Sequence, residues 1–487
     1  MTVTSNRILA AIAPVFLLLA GGCGERPAGP PEISAADRET GARQHRALLA
    51  EFGGPYEGPQ ARYVAGVGER VADAAGLAGQ CTFTLVNSDV VNAFAVPGCY
   101  IYLTRGLMGL VTSEAELASV LAHEIGHIAA RHTRRREQRS LLNALGVFAV
   151  SLTGSEQLTR LAGRAAQYFG YRYSRSQEYE SDDLGIRYLA DAGYDPHAAA
   201  DMLAALARHE RFMSGEAARD AAQAIPEWAR THPLTERRIA RAAEEAEATG
   251  LADDAQPENA AAFLAAVDGL LYGDDPEQGF VRGRTFAHPT MRIAFEAPPG
   301  FTLTNSPQAI GLSGPAGTSG EFGGARNPAG SLEAYPVWLA RHIAGGAAVT
   351  VDRLERQQVG GVAAVFAWMR LTTPRGDVPL AVAAYDGPGD LAYHFLLAAP
   401  PGGGDAAAIR TLFRSFRVLT DAEAAALVPR VIRVVRASPG ASIPSLAAGM
   451  AAERPAALFA TLNGLAPGDR LAPGQPVKLV VAANRRP

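Results

Sequence analysis

The sequence predicts an α+β protein built from three successive units. Residues 41–265 combine helix-spaced apolar residues with short alternating runs, a pattern typical of a mainly helical domain with a small β-sheet. Residues 275–420 mix strand-like and helical segments and predict a second α+β domain. Residues 428–483 predict a small unit with the order strand, helix, helix, strand. With 487 residues, of which 48% are apolar, the chain can bury several cores.

A short apolar segment near the N-terminus has the composition of a secretory signal. Arg7 precedes Ile8–Ala20, a run that is too short to span a bilayer. The small residues before Cys23 resemble the lipobox of bacterial lipoproteins. We therefore expect residues 1–22 to be a signal peptide and Cys23 to be lipidated. Ordinary signal cleavage and a retained anchor are the alternatives.

The segment after the lipidation site predicts a tether and a location. Residues 23–40 contain several prolines and glycines, which favours a flexible linker. Gly24 is not the aspartate that retains such lipoproteins in the inner membrane of enterobacteria. The expected location is the periplasm, with a lipid anchor in the outer membrane.

Two cysteines stand at the start of predicted strands. The runs Thr82–Asn87 and Tyr100–Thr104 alternate and are rich in aromatic and β-branched residues, which predicts a small sheet. With Cys23 assigned to a lipid, Cys81 and Cys99 remain, and an oxidising compartment favours a disulfide between them. Two unpaired buried thiols are the alternative, because the sequence does not give their Cα separation.

A helix with a metal site is predicted by the run SEAELASVLAHEIGHIAARH, which begins at Ser113. Ser113 and Glu116 form a capping box at the start of this helix. His123 and His127 are four residues apart, so they share one face and can bind one metal ion. Glu124 is then placed to polarise a metal-bound water. The alternative is a core helix whose histidines bond to neighbouring groups.

A third ligand is needed to complete such a site. Metzincins carry glycine and histidine at the positions of Ala130 and Thr133, and His132 is one residue out of phase, so that class is disfavoured. Further along, Glu178 and Asp182 are four residues apart on one face of a predicted helix. A glutamate ligand with a supporting aspartate would give a site of two histidines and one glutamate, with an open fourth position. The alternative is a solvated acidic helix face.

Together these segments resemble a family of zinc peptidases, the gluzincins of the CAAX-prenyl-protease and HtpX-like type, in their soluble bacterial periplasmic branch. The resemblance covers roughly residues 40–250, and several motifs agree in order and spacing. It is carried by Asn92–Gly98 with Tyr100–Gly106, by HEIGHIAARH, and by Ser174–Asp182 with the later Thr231–Arg238.

The resemblance implies a role for each site residue. One Zn²⁺ per chain would be bound by His123, His127 and Glu178, with Asp182 as a supporting residue. Glu124 would act as general base, taking a proton from the zinc-activated water that attacks the peptide carbonyl and passing it to the leaving amine.

The same resemblance places His232 beside the metal. There it would stabilise the oxyanion or act as a reversible fourth ligand. The alternative is a turn residue ahead of a helix at Glu236–Glu247. Arg237 is expected to pair with Asp182.

An edge strand is expected to hold the substrate. By resemblance this strand contains Asn92, Ala93 and Phe94, and an extended peptide would pair with it. The chain departs from the family pattern in two places, since Ser181 stands where alanine is usual and Cys99 where a second glycine is usual. Neither departure touches the proposed ligands.

Charge and hydrophobicity limit the possible partners. The chain has 45 basic and 49 acidic residues and a net charge of −4, which gives no electrostatic case for nucleic acid. Arg134–Arg136 is expected to be a solvated helix end. Leu141–Leu152 is too short to span a bilayer and predicts a helix packed over the site or a mobile lid.

The second unit shows no catalytic motif. Gly314–Gly330 is rich in glycine and predicts a loop, and no Lys-Ser/Thr pair follows it as in a phosphate-binding loop. Strands are predicted at Met291–Phe295, Ala363–Leu371, Leu380–Tyr385 and Ala392–Leu397, with helices near Leu332–Ala344 and Asp405–Ser415.

The third unit resembles a LysM repeat. Its turn at Asn463–Leu465 and its closing run Pro473–Leu479 fit, whereas the usual Gly-Asp-Thr opening is replaced at Gly440–Ser442. The resemblance implies peptidoglycan binding. The alternative is a capping domain that kept the fold and lost the glycan site.

The sequence therefore predicts a zinc endopeptidase, and the resemblance implies misfolded or mislocalised envelope proteins as its substrates. Its expected partners are those proteins, peptidoglycan through the third unit, and a membrane through the lipid anchor, but not nucleic acid. A periplasmic chaperone on a peptidase scaffold, with repressed proteolysis, is one alternative. A wall-anchoring lipoprotein is the other.

Overall fold

The computed structural model describes residues 31–132, 173–216, 228, 231–344, 347–373, 376–399, 404–466 and 468–484. The predictions made for residues 1–22, Cys23, Arg134–Arg136 and Leu141–Leu152 lie outside these ranges. Within them, the protein mixes helices with several sheets, which confirms the α+β class. No helix in the described ranges is long and apolar enough to cross a membrane.

The N-terminal domain packs helices around a small sheet. Its elements are, in chain order, α1 (Ala35–Glu51), α2 (Pro59–Ala74), β1 (Thr82–Val86), β2 (Ala93–Val96), β3 (Tyr100–Thr104), α3 (Arg105–Leu110), α4 (Glu114–Ala129), α5 (Arg175–Asp191), α6 (Ala198–Glu216), α7 (Glu236–Glu247), α8 (Ala260–Val267) and β4 (Leu271–Tyr272). The sheet order is β1–β3–β2, with β1 parallel and β2 antiparallel to β3. This order leaves β2 at one edge of the sheet.

The first helix begins inside the predicted tether. The prediction of a flexible segment over 23–40 is therefore wrong from Ser34 onward. The Ser34 hydroxyl accepts a hydrogen bond from the amide of Asp37 at 3.1 Å and caps α1. At Gly41 an added Cβ would lie 2.6 Å from the ring of Tyr100, so the helix packs tightly on the sheet. The prolines and glycines on which the linker prediction rested end at Pro31, so they do not oppose a helix that begins after Ser34.

A disulfide joins the starts of two adjacent strands. Cys81 directly precedes β1, and Cys99 directly precedes β3. Because these strands are parallel and paired in register, the residues before them lie side by side. The two Cα atoms are 4.6 Å apart, and the cysteines are bonded. The sequence left open either a disulfide or two unpaired thiols, and the structure contains the disulfide.

Helix α4 is buried along nearly its whole length, from Glu114 to Ile128. Its cap differs in one detail from the predicted capping box. The Ser113 hydroxyl accepts from the amide of Glu116 at 3.0 Å, as expected. The Glu116 carboxylate, however, bonds to the amide and hydroxyl of Thr112, both at 2.7 Å. The side chain thus reaches one residue further back than a capping box requires.

Helices α4 and α5 cross in close contact because each carries a glycine there. A Cβ on Gly126 of α4 would lie 2.7 Å from the main-chain oxygen of Ser181. A Cβ on Gly185 of α5 would lie 3.1 Å from the main-chain nitrogen of His123. The absence of side chains at both positions lets the two backbones approach. As a result, Glu178 near the start of α5 comes within reach of the histidines on α4.

The middle domain is built on a seven-stranded antiparallel sheet. Its elements are β5 (Phe280–Arg282), β6 (Thr285–His288), β7 (Ile293–Glu296), β8 (Thr302–Thr304), β9 (Ile310–Ser313), β10 (Ser319–Arg326), α9 (Tyr335–Ile343), β11 (Ala348–Val359), β12 (Val362–Thr373), β13 (Gly376–Asp386), β14 (Leu391–Ala398), α10 (Ala406–Arg414), β15 (Arg417–Val418) and α11 (Asp421–Ala425). The sheet order is β11–β12–β13–β14–β10–β9–β8. Alternate residues of β13 pack on opposite faces, one covered by α9 and the other by α10.

A strand lies where the sequence predicts a loop. The prediction of a loop over Gly314–Gly330 is wrong in its centre, because Ser319–Arg326 forms β10 and pairs with both β9 and β14. At Gly320 an added Cβ would overlap the main-chain oxygen of Leu396 on β14. Glycine at this position permits the close approach of a neighbouring strand and does not end the strand.

The C-terminal unit has the order strand, helix, helix, strand. Its elements are β16 (Arg430–Arg436), α12 (Ile443–Ala447), α13 (Pro455–Leu462) and β17 (Pro476–Ala482). β16 pairs antiparallel with β17 and, on its other side, with β4. The unit is therefore joined by strand pairing to the segment that leaves the N-terminal domain.

Candidate metal centre

Four side chains converge at the centre of the N-terminal domain. His123 and His127 come from α4, Glu178 from the start of α5, and His232 from the segment before α7. Nε2 of His123 lies 3.0 Å from Nε2 of His127 and 3.2 Å from Nδ1 of His232. The Glu178 carboxylate lies 3.5 Å from Nε2 of His127 and 3.1 Å from Nδ1 of His232. Each of the four residues is at most 2% exposed.

The spacing of these donor atoms fits a zinc ion. A tetrahedral zinc ion with bonds of about 2.0–2.2 Å places its ligand atoms roughly 3.3–3.6 Å apart. The separations between the four donors bracket that distance, from 3.0 Å to 3.7 Å. Imidazole nitrogens and a carboxylate are also the donor types that zinc prefers. His123, His127 and Glu178 could hold the ion, with Nδ1 of His232 at the fourth position.

Arg238 of α7 neutralises the acidic side of the cluster. Its Nη1 lies 2.5 Å from Oε2 of Glu178, and its Nε lies 2.6 Å from Oδ2 of Asp182. Oδ1 of Asp182 in turn lies 2.9 Å from Nδ1 of His123. Asp182 therefore holds the ring of His123 with its Nε2 directed at the other donors.

Arg237, the expected partner of Asp182, is exposed, so that prediction is wrong by one residue. Helix α7 begins after Thr235, whose hydroxyl accepts from the amide of Arg238. The buried residues of the helix recur at every fourth position and are Arg238, Ala242 and Ala246. Arg238 shares this buried face with two small alanines, whereas Arg237 lies off it.

Burial and nearby charge shift pKa values in opposite directions around the cluster. Burial raises the pKa of Glu178 and of Asp182, but the Arg238 guanidinium outweighs it, and both pKa values lie below their usual range. The pKa of His127 lies well below its usual value because burial disfavours the imidazolium. Burial also lowers the pKa of His123, but Asp182 outweighs that effect and the net shift is upward. Charged carboxylates and a neutral His127 are the states in which these groups bind a metal.

Glu124 is fully buried next to His232. Its Oε1 lies 3.6 Å from Nε2 of His232. It directly follows His123 and lies beside the imidazole whose Nδ1 occupies the fourth position of the cluster. A carboxylate beside the cluster can take a proton from a group bound at the fourth position and return it.

Three side chains that were not predicted as part of the site also surround the cluster. The indole of Trp228 stacks on the ring of His232 with centroids 4.2 Å apart, and the ring of Tyr173 stacks on His127 at 3.8 Å. His132, set aside as out of phase, is fully buried with Nδ1 2.9 Å from Nδ1 of His127. Aromatic residues that stack on a histidine have no fixed spacing in a sequence, so no motif indicated Trp228 and Tyr173. His132, by contrast, stands close to the motif in the sequence and could have been considered.

The predicted substrate strand lies at an open edge of the sheet. In the described part of the chain β2 pairs only with β3, and its other edge has no strand partner. Asn92 directly precedes β2 and is buried, and Ala93 begins the strand. Phe94 is half-buried and stacks on Tyr102 with centroids 4.7 Å apart. A free edge of this kind can accept an extended peptide.

Comparison with known proteins agrees with this geometry. Residues 59–246 match the family described as peptidase family M48. The beta-barrel assembly-enhancing protease of Yersinia pestis is 35% identical over 192 residues, which are 37% of this chain and 38% of that protein. The protein of the same name from Escherichia coli K12 is 34% identical over 173 residues, 33% of each chain. The mitochondrial metalloendopeptidase OMA1 of Arabidopsis thaliana is 31% identical over 154 residues, 32% of this chain and 29% of that protein.

The likeness is confined to one part of the chain. The matched segment spans less than two fifths of the two bacterial relatives. Among solved structures, cyanobacterial PsbP from Synechocystis sp. PCC 6803 covers 30% of this chain and 98% of its own length, with 12% identity and a TM-score of 0.23. A score this low supports no conclusion about the fold. Residues 59–246, which match peptidase family M48, contain the four converging side chains together with Glu124, Asp182 and Arg238.

Proposed function

We propose that the protein is a zinc-dependent metalloendopeptidase. The observation that carries the proposal is the convergence of His123, His127 and Glu178, whose donor atoms are separated as around a tetrahedral zinc ion. Glu124, one residue after the first ligand, supplies the general base that such a hydrolase needs. The match of residues 59–246 to peptidase family M48 supports the same conclusion.

The buried groups divide the work of hydrolysis. A zinc ion, when bound, would lower the pKa of a coordinated water and polarise the substrate carbonyl. Glu124 accepts the proton of the attacking water and passes it to the leaving amine. Asp182 keeps His123 oriented, and Arg238 balances the negative charge of the two carboxylates. The exclusion of bulk water from this buried cluster strengthens each of these interactions.

His232 supports a regulated form of this activity. Its Nδ1 lies within 3.2 Å of donor atoms of both His123 and Glu178, which favours the fourth-ligand role over the oxyanion role. With the imidazole in that position, no site is left for water on a four-coordinate ion. His232 would then repress proteolysis until it moves away.

The proposed substrates are misfolded or mislocalised proteins of the cell envelope. Two relatives are named as proteases that enhance β-barrel assembly, and the sequence predicts export to the periplasm. A substrate in extended conformation would pair with the free edge of β2. Main-chain pairing of this kind reads little of the side-chain sequence, which suits the degradation of diverse proteins.

We also propose a lipid anchor at Cys23 in the outer membrane and a peptidoglycan contact through the LysM-like unit. The order of β16, α12, α13 and β17 is that of the predicted repeat. Incubation of the mature chain with insoluble peptidoglycan should carry the protein into the pellet. A chain that stays in the supernatant would exclude the glycan contact.

The catalytic proposal is tested with the chain that lacks residues 1–22. We expect one zinc ion per chain in both the wild type and Glu124→Gln. Casein hydrolysis should fall by about 10²–10⁴-fold in the variant, because the general base is lost. A wild type without zinc, or a Glu124→Gln variant with full activity, would contradict the proposal.

A further inference from the structure

A series of three side chains in contact, His127, His132 and Glu180, leads from the metal cluster to the protein surface. His132 is fully buried, with its Nδ1 2.9 Å from Nδ1 of His127. Its Nε2 lies 3.0 Å from Oε2 of Glu180 on α5. The Glu180 side chain is 50% exposed, so the series reaches the protein surface. The hydroxyl of Ser181, where the family usually has alanine, lies 3.4 Å from Nδ1 of His132.

The chemistry of the three groups sets the direction of each hydrogen bond. An ionised carboxylate only accepts, so Nε2 of His132 donates to Glu180. In a neutral imidazole the other nitrogen then carries a lone pair, and Nδ1 of His132 accepts the N–H of His127 Nδ1. This arrangement leaves the lone pair of His127 on Nε2. That nitrogen is the one that faces His123 and Glu178.

The other histidine of the motif is held in an equivalent way. Nδ1 of His123 lies 2.9 Å from Oδ1 of Asp182, which leaves its Nε2 free to face the cluster. Both histidines thus present Nε2 inward and have Nδ1 bound on the outer side. One is held directly by a carboxylate, and the other is held by a histidine that a carboxylate orients.

The backbone after α4 is bent to place His132. The helix ends with Ala130 as C-cap, and Arg131 adopts a φ of 56°, in the left-handed region. A non-glycine residue in this region is uncommon and needs support from its surroundings. The bend turns the chain back on the helix, so that the ring of His132 packs beneath His127 with centroids 5.1 Å apart.

We propose that His132, oriented by Glu180, is a positioning residue that fixes the tautomer and ring orientation of His127 for metal binding. The proposal rests on the proposed zinc site. Outer partners that hold a ligating histidine typically change metal affinity by about 10–100-fold when they are removed.

The test measures zinc affinity of the mature chain by competition with a chromogenic chelator. His132→Leu removes the acceptor for His127 and should weaken zinc binding by about 10–100-fold. His132→Asn keeps an acceptor oxygen and a donor amide, so it should restore part of the affinity. Glu180→Ala should shift affinity in the same direction by a smaller factor, whereas Asp191→Ala, an exposed carboxylate on the same helix, should not.

A cobalt-loaded sample separates positioning from a general loss of structure. The visible bands of cobalt report ligand geometry, and they should shift in His132→Asn. They should not shift in His394→Leu, which removes a buried histidine bonded to Tyr335 in the middle domain. A wild type that binds no zinc would overturn the proposed function and this inference together. A wild type that binds zinc no more tightly than His132→Leu and Glu180→Ala would overturn this inference alone.

Discussion

At the scale of single residues, the metal cluster depends on one buried arginine. Arg238 is 1% exposed and forms ion pairs with Glu178 and Asp182. Its planar guanidinium has enough donors in a fixed geometry to serve both carboxylates. Charged Asp182 is a stronger acceptor for the N–H of His123 than the neutral carboxyl would be, and the positive charge of Arg238 lowers the pKa of Asp182 against the effect of burial.

Replacement of this arginine should damage both stability and metal binding. Arg238→Met leaves two buried carboxylates without their cation, which should lower the free energy of unfolding by about 3–5 kcal/mol. Zinc affinity should fall by about tenfold or more, because Asp182 no longer holds His123 firmly. Chemical denaturation and chelator competition measure the two effects.

The neighbouring arginine provides the matched control for this experiment. Arg237 is exposed on the same turn of α7. Arg237→Met should change the free energy of unfolding by no more than about 0.5 kcal/mol. Equal losses in the two variants would show that Arg238 has no special part in the cluster.

The residues of the proposed metal site and the supporting Asp182 were predictable, whereas the other supporting residues were not. The spacing of His123, Glu124 and His127 is a local property of one helix, so the sequence displays it directly. Arg238 and His132 act through contacts that depend on how α7 and the end of α4 turn. Because the expected phase of α7 was shifted by one residue, Arg237 was predicted as the partner of Asp182 where the structure has Arg238.

At the scale of elements, the crossing of α4 and α5 assembles the site. Three donors lie on these two helices, and their distance from one another is set by the contact at Gly126 and Gly185. A Cβ at Gly126 would meet the main chain of Ser181, which cannot rotate away as a side chain could. The glycine therefore sets how closely Glu178 approaches His127.

An added methyl group at this crossing should loosen the metal site. Gly126→Ala should lower the free energy of unfolding by about 1–3 kcal/mol, because α5 must shift to avoid overlap. Zinc affinity should fall with it, as Glu178 moves away from the histidines. Gly66→Ala is the control, since this exposed helical glycine has no atom within 4 Å of an added Cβ. Gly66→Ala should stabilise the protein by about 0.5–1 kcal/mol. If Gly126→Ala bound zinc with unchanged affinity, the close crossing of α4 and α5 would not be what sets the position of Glu178.

Elements with strong local signals were predicted closely, and elements formed by distant pairing were not. Helix α7 has the predicted bounds, Glu236–Glu247, because Thr235 caps it and its apolar period is regular. The glycine-rich β10 escaped prediction because its stability comes from β9 and β14 on both sides. The left-handed turn at Arg131 carries no composition signal at all.

At the scale of the whole molecule, one lysine joins the first and last parts of the chain. Lys478 on β17 is the only lysine in a sequence whose other basic side chains are all arginine. It is fully buried, and its ammonium donates to the carbonyl oxygens of Gly109, Leu110 and Val111 at the end of α3, at 2.9, 3.1 and 2.6 Å. The three N–H donors of an ammonium group can point at three converging carbonyl oxygens, whereas the donors of a guanidinium lie in one plane and cannot. The C-terminal unit is thus docked on the N-terminal domain.

Because this lysine is unique, amine chemistry reports on the docking. Burial lowers the pKa of Lys478 to about 7, although Glu116 acts in the opposite direction. This low pKa lasts only while the group is enclosed, and an acylating reagent reacts with the amine only when Lys478 becomes accessible to solvent. In the folded protein we expect Lys478 to react at least about 100-fold more slowly than in urea, corresponding to an opening free energy of about 2.8 kcal/mol. Peptide mapping by mass spectrometry measures both rates, and equal rates would mean that the C-terminal unit is not held on the N-terminal domain.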